Sequence, residues 1–130
     1  MTLDHAKKIV AACEVKAHEI GIPMVISVVD EGANLVLQER MDGAMIAGIT
    51  LAQDKAYTAA ATGFDTHQIA PLVQPGKIAY GLAGMDRGRL VVFPGGLTLK
   101  SGDKTIGAVG VAGGMADQDQ EVAQAGRKAL

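Results

Sequence analysis

Apolar residues along the first twenty positions recur every three or four residues, and this spacing predicts an amphipathic helix. The apolar positions are Leu3, Ala6, Ile9, Val10, Cys13, Ala17 and Ile20. A Gly-Ile-Pro sequence at 21–23 then ends the helix. Because Cys13 lies near the centre of the apolar stripe, we expect it to be a buried, small hydrophobic residue.

Two runs of apolar residues follow at 24–30 and 35–41, with the turn sequence Glu-Gly-Ala-Asn between them. This arrangement predicts a β-hairpin. An alanine-rich stretch at 44–62 predicts a second helix that ends at Gly63, a residue suited to a left-handed helix cap.

The middle of the chain predicts short helical pieces between loops. Thr66 is expected to cap a short helix that Pro71 ends, and residues 77–83 are expected to form one further helical turn. Three strands are then predicted, at 90–93, 97–100 and 105–113, joined by tight turns that contain glycine.

A final helix is predicted near the end of the sequence. Asp117 and Gln120 stand three residues apart, which is the spacing of a weak capping box. The helix that follows is expected to direct Val122, Ala125 and Ala129 inward.

The order of these elements is helix, two strands, helices, three strands and helix. Neighbouring strands joined by short turns pair antiparallel, so the pattern predicts an α+β fold with a five-stranded antiparallel sheet flanked by helices. With 130 residues and 13.4 kDa, the chain fits one domain spanning residues 1–130.

Composition and charge argue against several kinds of function. A formal net charge of −2 and a pI near 5.8 leave no broad basic surface, which argues against a nucleic-acid partner. The first residues lack the basic and apolar runs of a signal peptide, and the most apolar stretch carries charges, so we expect a cytoplasmic protein that does not span a membrane. A lone cysteine and the absence of closely spaced histidines argue against a metal site.

Glycine is concentrated in one part of the chain, since ten of the 17 glycines fall between Gly81 and Gly114. On a strand at 105–113, Ala108, Gly110 and Ala112 form a nearly flat face. Either the helix at 44–62 packs closely on this face or a ligand contacts it directly.

Gly95 and Gly96 follow Pro94, and their neighbouring amides form either a simple bend or an anion-binding nest.

His18 and His67 are the histidines most open to a functional interpretation. His18 is expected on the solvent-facing flank of the first helix, as a surface residue, at a subunit interface, or as a ligand of haem iron. His67 lies beside a loop rich in Pro and Gly, where it either makes a local hydrogen bond or binds a ligand and transfers protons.

Arg40 and Lys55 are the candidate cations for an acidic ligand. Arg40 either pairs with an aspartate and fixes the hairpin, or binds a carboxylate through two parallel hydrogen bonds. Lys55 lies in the middle of the predicted second helix, where it either extends toward solvent or binds an acid group of the ligand.

Several segments together carry a resemblance to a known family. They are VVDEGANL at 28–35, RMDGA at 40–44, THQIAPLVQPG at 66–76, YGL at 80–82, PGGL at 94–97 and IGAVGV at 106–111, followed by a glycine pair at 113–114. In this order, over nearly the whole chain, they resemble the GlcG/HbpS-like family, in particular its branch related to the C-terminal domain of PduO-type proteins.

The resemblance implies a profilin-like or roadblock-like fold and a homo-oligomer, ranging from dimers to octamers. It also implies haem as a possible cofactor. If haem binds, His18 or His67 is expected as the iron ligand rather than a methionine, because imidazole is the commoner protein ligand of haem. The chain lacks the Glu-x-x-Glu iron-binding pattern of the secreted members and does not include an adenosyltransferase domain. That activity is therefore not expected here.

These observations predict a cytoplasmic, oligomeric protein that binds haem or another small molecule in support of a catabolic pathway. The alternative is a cofactor-free hydrolase, isomerase or decarboxylating enzyme, in which His67 transfers protons and Arg40 or Lys55 holds the carboxylate of a small organic acid. A third interpretation is a module that only assembles oligomers.

The predicted ligand site is a single cavity on the glycine-rich strand. Gly95, Gly96 and Gly110 are expected at its mouth and the loop of His67 at its rim, with Arg40 or Lys55 supplying the positive charge.

Overall fold

A computed structural model describes all 130 residues of the chain. Its helices and strands are α1 (Leu3–Ile20), β1 (Val25–Asp30), β2 (Leu35–Arg40), α2 (Gly48–Thr62), α3 (Thr66–Ile69), β3 (Gly96–Ser101), β4 (Lys104–Ala112) and α4 (Ala116–Lys128). Three single-turn 3₁₀ helices lie between α3 and β3, at Ala70–Leu72, Leu82–Gly84 and Asp86–Gly88. No helix combines the length and the apolar character needed to cross a bilayer.

The four strands form one antiparallel sheet in the order β2-β1-β4-β3. Helices α1 and α4 pack on one face over the main core, which includes Ile9, Met24 and Val109. Helix α2 packs on the other face through small residues such as Ala56. The fold is therefore α+β, with one sheet between two helical layers, as the order of elements predicted.

The sheet has four strands, so the predicted five-stranded sheet is wrong. Residues 90–93 form a loop whose backbone bonds to α2: the Val91 amide donates to Thr58 Oγ1 at 2.9 Å, and the Thr58 hydroxyl donates to the Asp54 carbonyl of its own helix at 2.7 Å. At Val91 a bond to a helical threonine thus stands where a bond between strands was expected.

Several element ends also differ from the predictions. Helix α2 begins at Gly48 rather than at residue 44, and residues 77–83 form turns with only a short 3₁₀ piece. Asp65, not Thr66, caps α3. At the start of α4 the capping pair is Met115 and Gln118, which are joined by a hydrogen bond of 2.9 Å from the Met115 amide to the Gln118 side chain.

The long first helix, the hairpin and the left-handed cap at Gly63 are confirmed. Cys13 is fully buried, as its place in the apolar stripe predicted, and burial raises the pKa of its thiol to about 12. Val122 of α4 is buried, whereas Ala129, which follows the last residue of α4, is exposed, contrary to the predicted inward direction.

Candidate functional site

Helix α2 covers the flat face of β4. Gly110 is buried, and a Cβ atom at this position would lie 2.5 Å from the Ala56 amide nitrogen and closer still to the Ala52 carbonyl oxygen. The interpretation that a helix packs on this face is confirmed. The cavity predicted over Gly110 is absent because helix backbone fills that space.

The amides of the glycine pair before β3 are occupied within the chain. The Gly95 amide donates to Gln120 Oε1 at 3.0 Å, and the Gly96 amide donates to Thr66 Oγ1 at 2.9 Å. Both glycines are buried, and a Cβ on Gly96 would collide with the Lys55 carbonyl oxygen. These amides are therefore not exposed as an anion-binding nest.

Lys55 is only 2% exposed and lies inside the protein. Its ammonium group donates to the Val111 carbonyl at 2.8 Å and to Asp119 Oδ2 at 2.7 Å, while Asp119 Oδ1 accepts from the Gly114 amide at 2.8 Å. Burial lowers the pKa of Lys55 and raises the pKa of Asp119, and the attraction between the two charges opposes both shifts. This ion pair links α2 to α4.

His67 lies at the surface next to the same region. Its Nδ1 atom is 3.2 Å from Nε2 of the Gln120 side chain. Oε1 of the same side chain accepts the hydrogen bond from the Gly95 amide. His67 therefore takes part in a local hydrogen-bond chain, one of the two roles that its position predicted. Neither His67 nor Lys55 lines any of the three main cavities.

A groove lies where the end of α1 faces the end of β2. Its volume is about 570 Å³, and both His18 and Arg40 line it. Three carboxylates, those of Glu14, Glu39 and Asp42, line it as well. We refer to this cavity as the His18 groove.

Helix α1 positions His18 within its last turn, with 69% of the side chain exposed. The Nε2 atom lies 3.6 Å from Glu14 Oε1, one helical turn earlier. The imidazole is thus accessible from the groove, with a carboxylate as its nearest charged neighbour. The solvent-facing position predicted for His18 is confirmed.

Arg40, at the end of β2, is exposed and has no carboxylate within 4.0 Å. The predicted pair between Arg40 and an aspartate of the hairpin is therefore absent. Asp30 instead accepts hydrogen bonds of 2.9 Å from the Gly32 and Asn34 amides of its own turn. The guanidinium of Arg40 remains available at the groove.

Of the six residues predicted to bind a ligand, only Arg40 lines the His18 groove. Sequence reasoning missed Glu14 there, although it stands four residues before His18, a spacing that places two side chains side by side on a helix. It also missed Asp119, which looks like an ordinary acidic residue in the first turn of a helix. No cluster of three or more His, Cys, Asp or Glu side chains is arranged for a metal ion.

Comparison with known protein families shows to which family this chain belongs. Residues 1–128 match the family model described as haem degrading protein HbpS-like. The chain belongs to the HbpS-like family. A 15.0 kDa protein encoded between dhaT and dhaS in Citrobacter freundii is 46% identical over 95% of this chain and 87% of its own length.

Two further similarities concern PduO. The corrinoid adenosyltransferase PduO of Citrobacter freundii is 33% identical over 95% of this chain, but the match covers only 37% of PduO. The crystal structure of a PduOC:heme complex superposes with a TM-score of 0.96 and 32% identity, covering 100% of this chain and 94% of that one. The HbpS-like chain thus corresponds to about a third of PduO.

Proposed function

We propose that this HbpS-like protein binds haem in the His18 groove, with His18 as the iron ligand. The observation that carries the proposal is the exposed imidazole of His18 beside a cavity of about 570 Å³ that also presents Arg40. Histidine is a common axial ligand of haem iron. The structural similarity to a PduOC:heme complex supports the same ligand.

The residues of the groove fit a haem that stays largely exposed to solvent. Only three lining residues are apolar, Ala17, Ile22 and Met41, so the groove does not enclose a porphyrin ring. Arg40 is the cation suited to the haem propionates, since the other charged side chains beside His18 are carboxylates. When bound, haem supplies a redox-active iron, and the protein supplies its ligand and charge environment.

A haem titration of single histidine variants tests the proposal. We expect the Soret shift of the wild type to persist in His67→Ala and His5→Ala and to disappear in His18→Ala. All three side chains are exposed, so none of the substitutions creates a core cavity. The same Soret band in His18→Ala as in the wild type would exclude this residue as the ligand.

We also propose that the protein assembles as a homo-oligomer. The segment between α3 and β3 exposes large apolar side chains, among them Ile78 at 95% and Tyr80 at 69%, together with Met85 and Phe93. Large exposed apolar patches mark protein–protein contact sites. Sedimentation at micromolar concentration should show a species larger than the 13.4 kDa monomer, and a pure monomer would refute the proposal.

The enzymatic alternative has less support. It required His67 with Arg40 or Lys55 around one organic acid, but Arg40 lines the His18 groove, Lys55 is buried in an ion pair, and His67 lies at neither place. Two statements about this protein remain predictions: that it supports a catabolic pathway and that it is located in the cytoplasm.

A further inference from the structure

A second cavity, of about 500 Å³, lies at the edge of the sheet beside β3. Its polar walls come from Asp65 and Gln68 of the α3 region, Thr98 and Lys100 of β3, and Arg127 near the end of α4. Leu130 is the one hydrophobic residue that lines it. We refer to it as the Arg127 pocket, and it shares no residue with the His18 groove.

The carboxylate in this pocket accepts three hydrogen bonds from the protein. Asp65 Oδ1 accepts from the Thr98 amide at 2.8 Å and from the Thr98 hydroxyl at 2.9 Å, and Oδ2 accepts from Arg127 Nη1 at 2.7 Å. Burial acts to raise the pKa of Asp65, but the hydrogen bonds from Thr98 and Arg127 outweigh burial and hold that pKa below its usual range. Asp65 is thus an ionised structural anchor for Arg127.

The acceptor of the neighbouring amide side chain is occupied as well. Gln68 Oε1 accepts from the Asp65 amide at 2.9 Å, which leaves the NH₂ group of Gln68 as its free end. This free end is a hydrogen-bond donor.

Two cations complete the donor set. Lys100 has no carboxylate within 4.0 Å, and Arg127 contacts only Asp65 although its guanidinium carries five N–H donors. The Arg127 side chain is 37% exposed, so part of the guanidinium faces outward. Lys100 and Arg127 thus present two positively charged groups at the pocket.

We propose that the Arg127 pocket binds a small carboxylate anion. A carboxylate matches the planar edge of a guanidinium that Asp65 already orients. Lys100 and the Gln68 amide provide the further donors.

Chemical-shift titrations with Lys100→Gln test the proposal. Acetate, lactate, succinate and inorganic phosphate are added separately to the full-length protein at constant ionic strength, with chloride as the balancing ion. We expect saturable shifts of the Gln68 side-chain amide with the carboxylates, and a dissociation constant about tenfold weaker in Lys100→Gln, which corresponds to about 1.4 kcal/mol.

Lys104→Gln is the matched control, because Lys104 is also exposed, lies on the adjacent strand and does not line the pocket. It should bind like the wild type. Arg127→Lys keeps a cation beside Asp65 but removes the guanidinium edge, so it should weaken carboxylate binding without unfolding the protein. His18→Ala should bind carboxylate normally, since the two cavities are separate.

Three outcomes would overturn the proposal. One is the absence of saturable shifts at Gln68 with every carboxylate. Another is equal weakening in Lys100→Gln and Lys104→Gln, which would reduce the effect to overall charge. The third is tighter binding of phosphate than of each carboxylate, which would assign the pocket to phosphate.

Discussion

Candidate residues lie in two regions of the molecule, and their charged side chains are buried and paired in one region but exposed in the other. Under α2, the ammonium of Lys55 and the carboxylate of Asp119 are 2.7 Å apart and almost completely buried, and glycines let backbone approach from several directions. In the His18 groove, His18 and Arg40 are exposed, and the shortest charged contact of His18 measures 3.6 Å.

This difference separates a structural site from a binding site. The buried pair has its hydrogen bonds satisfied internally, so a ligand there would have to displace protein groups. The groove keeps an imidazole and a guanidinium accessible, and its charges are screened by water until a ligand arrives. Glycines that allow close backbone packing mark the buried region around Lys55 and Asp119, whereas accessible charged side chains mark the His18 groove.

The largest expected effect comes from breaking the buried pair. Asp119→Ala leaves the Lys55 ammonium buried without its partner, and we expect the free energy of unfolding to fall by about 3–5 kcal/mol. Urea unfolding at pH 7 measures this. Asp117→Ala, an exposed position on the same helix turn, should change stability by less than about 0.5 kcal/mol. Equal small losses in both variants would show that the pair is not structural.

The carboxylate of Asp65 gives the next effect and adds a dependence on pH. Its pKa lies below the ordinary value, so its stabilising contribution is present above pH 4 and is lost as the pH falls through the folded-state pKa. Asp65→Asn should cost about 2 kcal/mol at pH 7, because hydrogen bonds to a charged group are lost.

The difference between wild type and Asp65→Asn should therefore shrink as the pH is lowered from 6 to 2. Urea midpoints over this range measure it. Asp30→Asn is the control, since Asp30 also has a lowered pKa but ends β1 beside the hairpin turn and has no cationic side chain as a partner, so the loss should be smaller. A difference that grows toward pH 2 would contradict the assignment of Asp65 as an ionised anchor.

The close packing of α2 on β4 predicts a moderate loss. Gly110→Ala places a methyl group against the backbone of Ala52 and Ala56, and we expect a loss of about 1–3 kcal/mol through overpacking. Gly84→Ala is the matched control, because a Cβ there meets no atom within 4 Å and its backbone needs no left-handed angle. Equal stability of the two variants would mean that α2 does not pack tightly on Gly110.

Local patterns predicted most of the fold. The stripe that includes Ile9 and Cys13 depends only on helical spacing, and the hairpin depends on a four-residue turn, so both appear in the sequence. The loop at 90–93 depends instead on Thr58, about thirty positions away, and its apolar residues look the same as those of a strand. Prediction therefore failed where the local structure depends on contacts between residues that are distant in the sequence.

The candidate site could also be predicted only in part. The exposed flank of His18 follows from its angle on α1, whereas the opposite wall of the groove comes from the end of β2 and depends on how the two elements pack. Gly95 and Gly96 were predicted to be special, but the partners of their amides, Gln120 and Thr66, lie 25 and 30 positions away. Glycine content marked close packing and did not reveal what packs there.

The smallest expected effect concerns Arg40 and tests whether the open groove uses its one free guanidinium. If Arg40 holds a haem propionate, Arg40→Gln should weaken haem binding by about two- to fivefold, since an exposed ion pair contributes less than about 1 kcal/mol. The effect should decrease further at high salt, because exposed charges are screened. Soret titrations at low and high ionic strength measure both changes. Arg87→Gln removes an equally exposed arginine outside the groove and should leave haem affinity unchanged. Equal affinities in the two variants would mean that the propionates extend into solvent and that His18 alone anchors the haem.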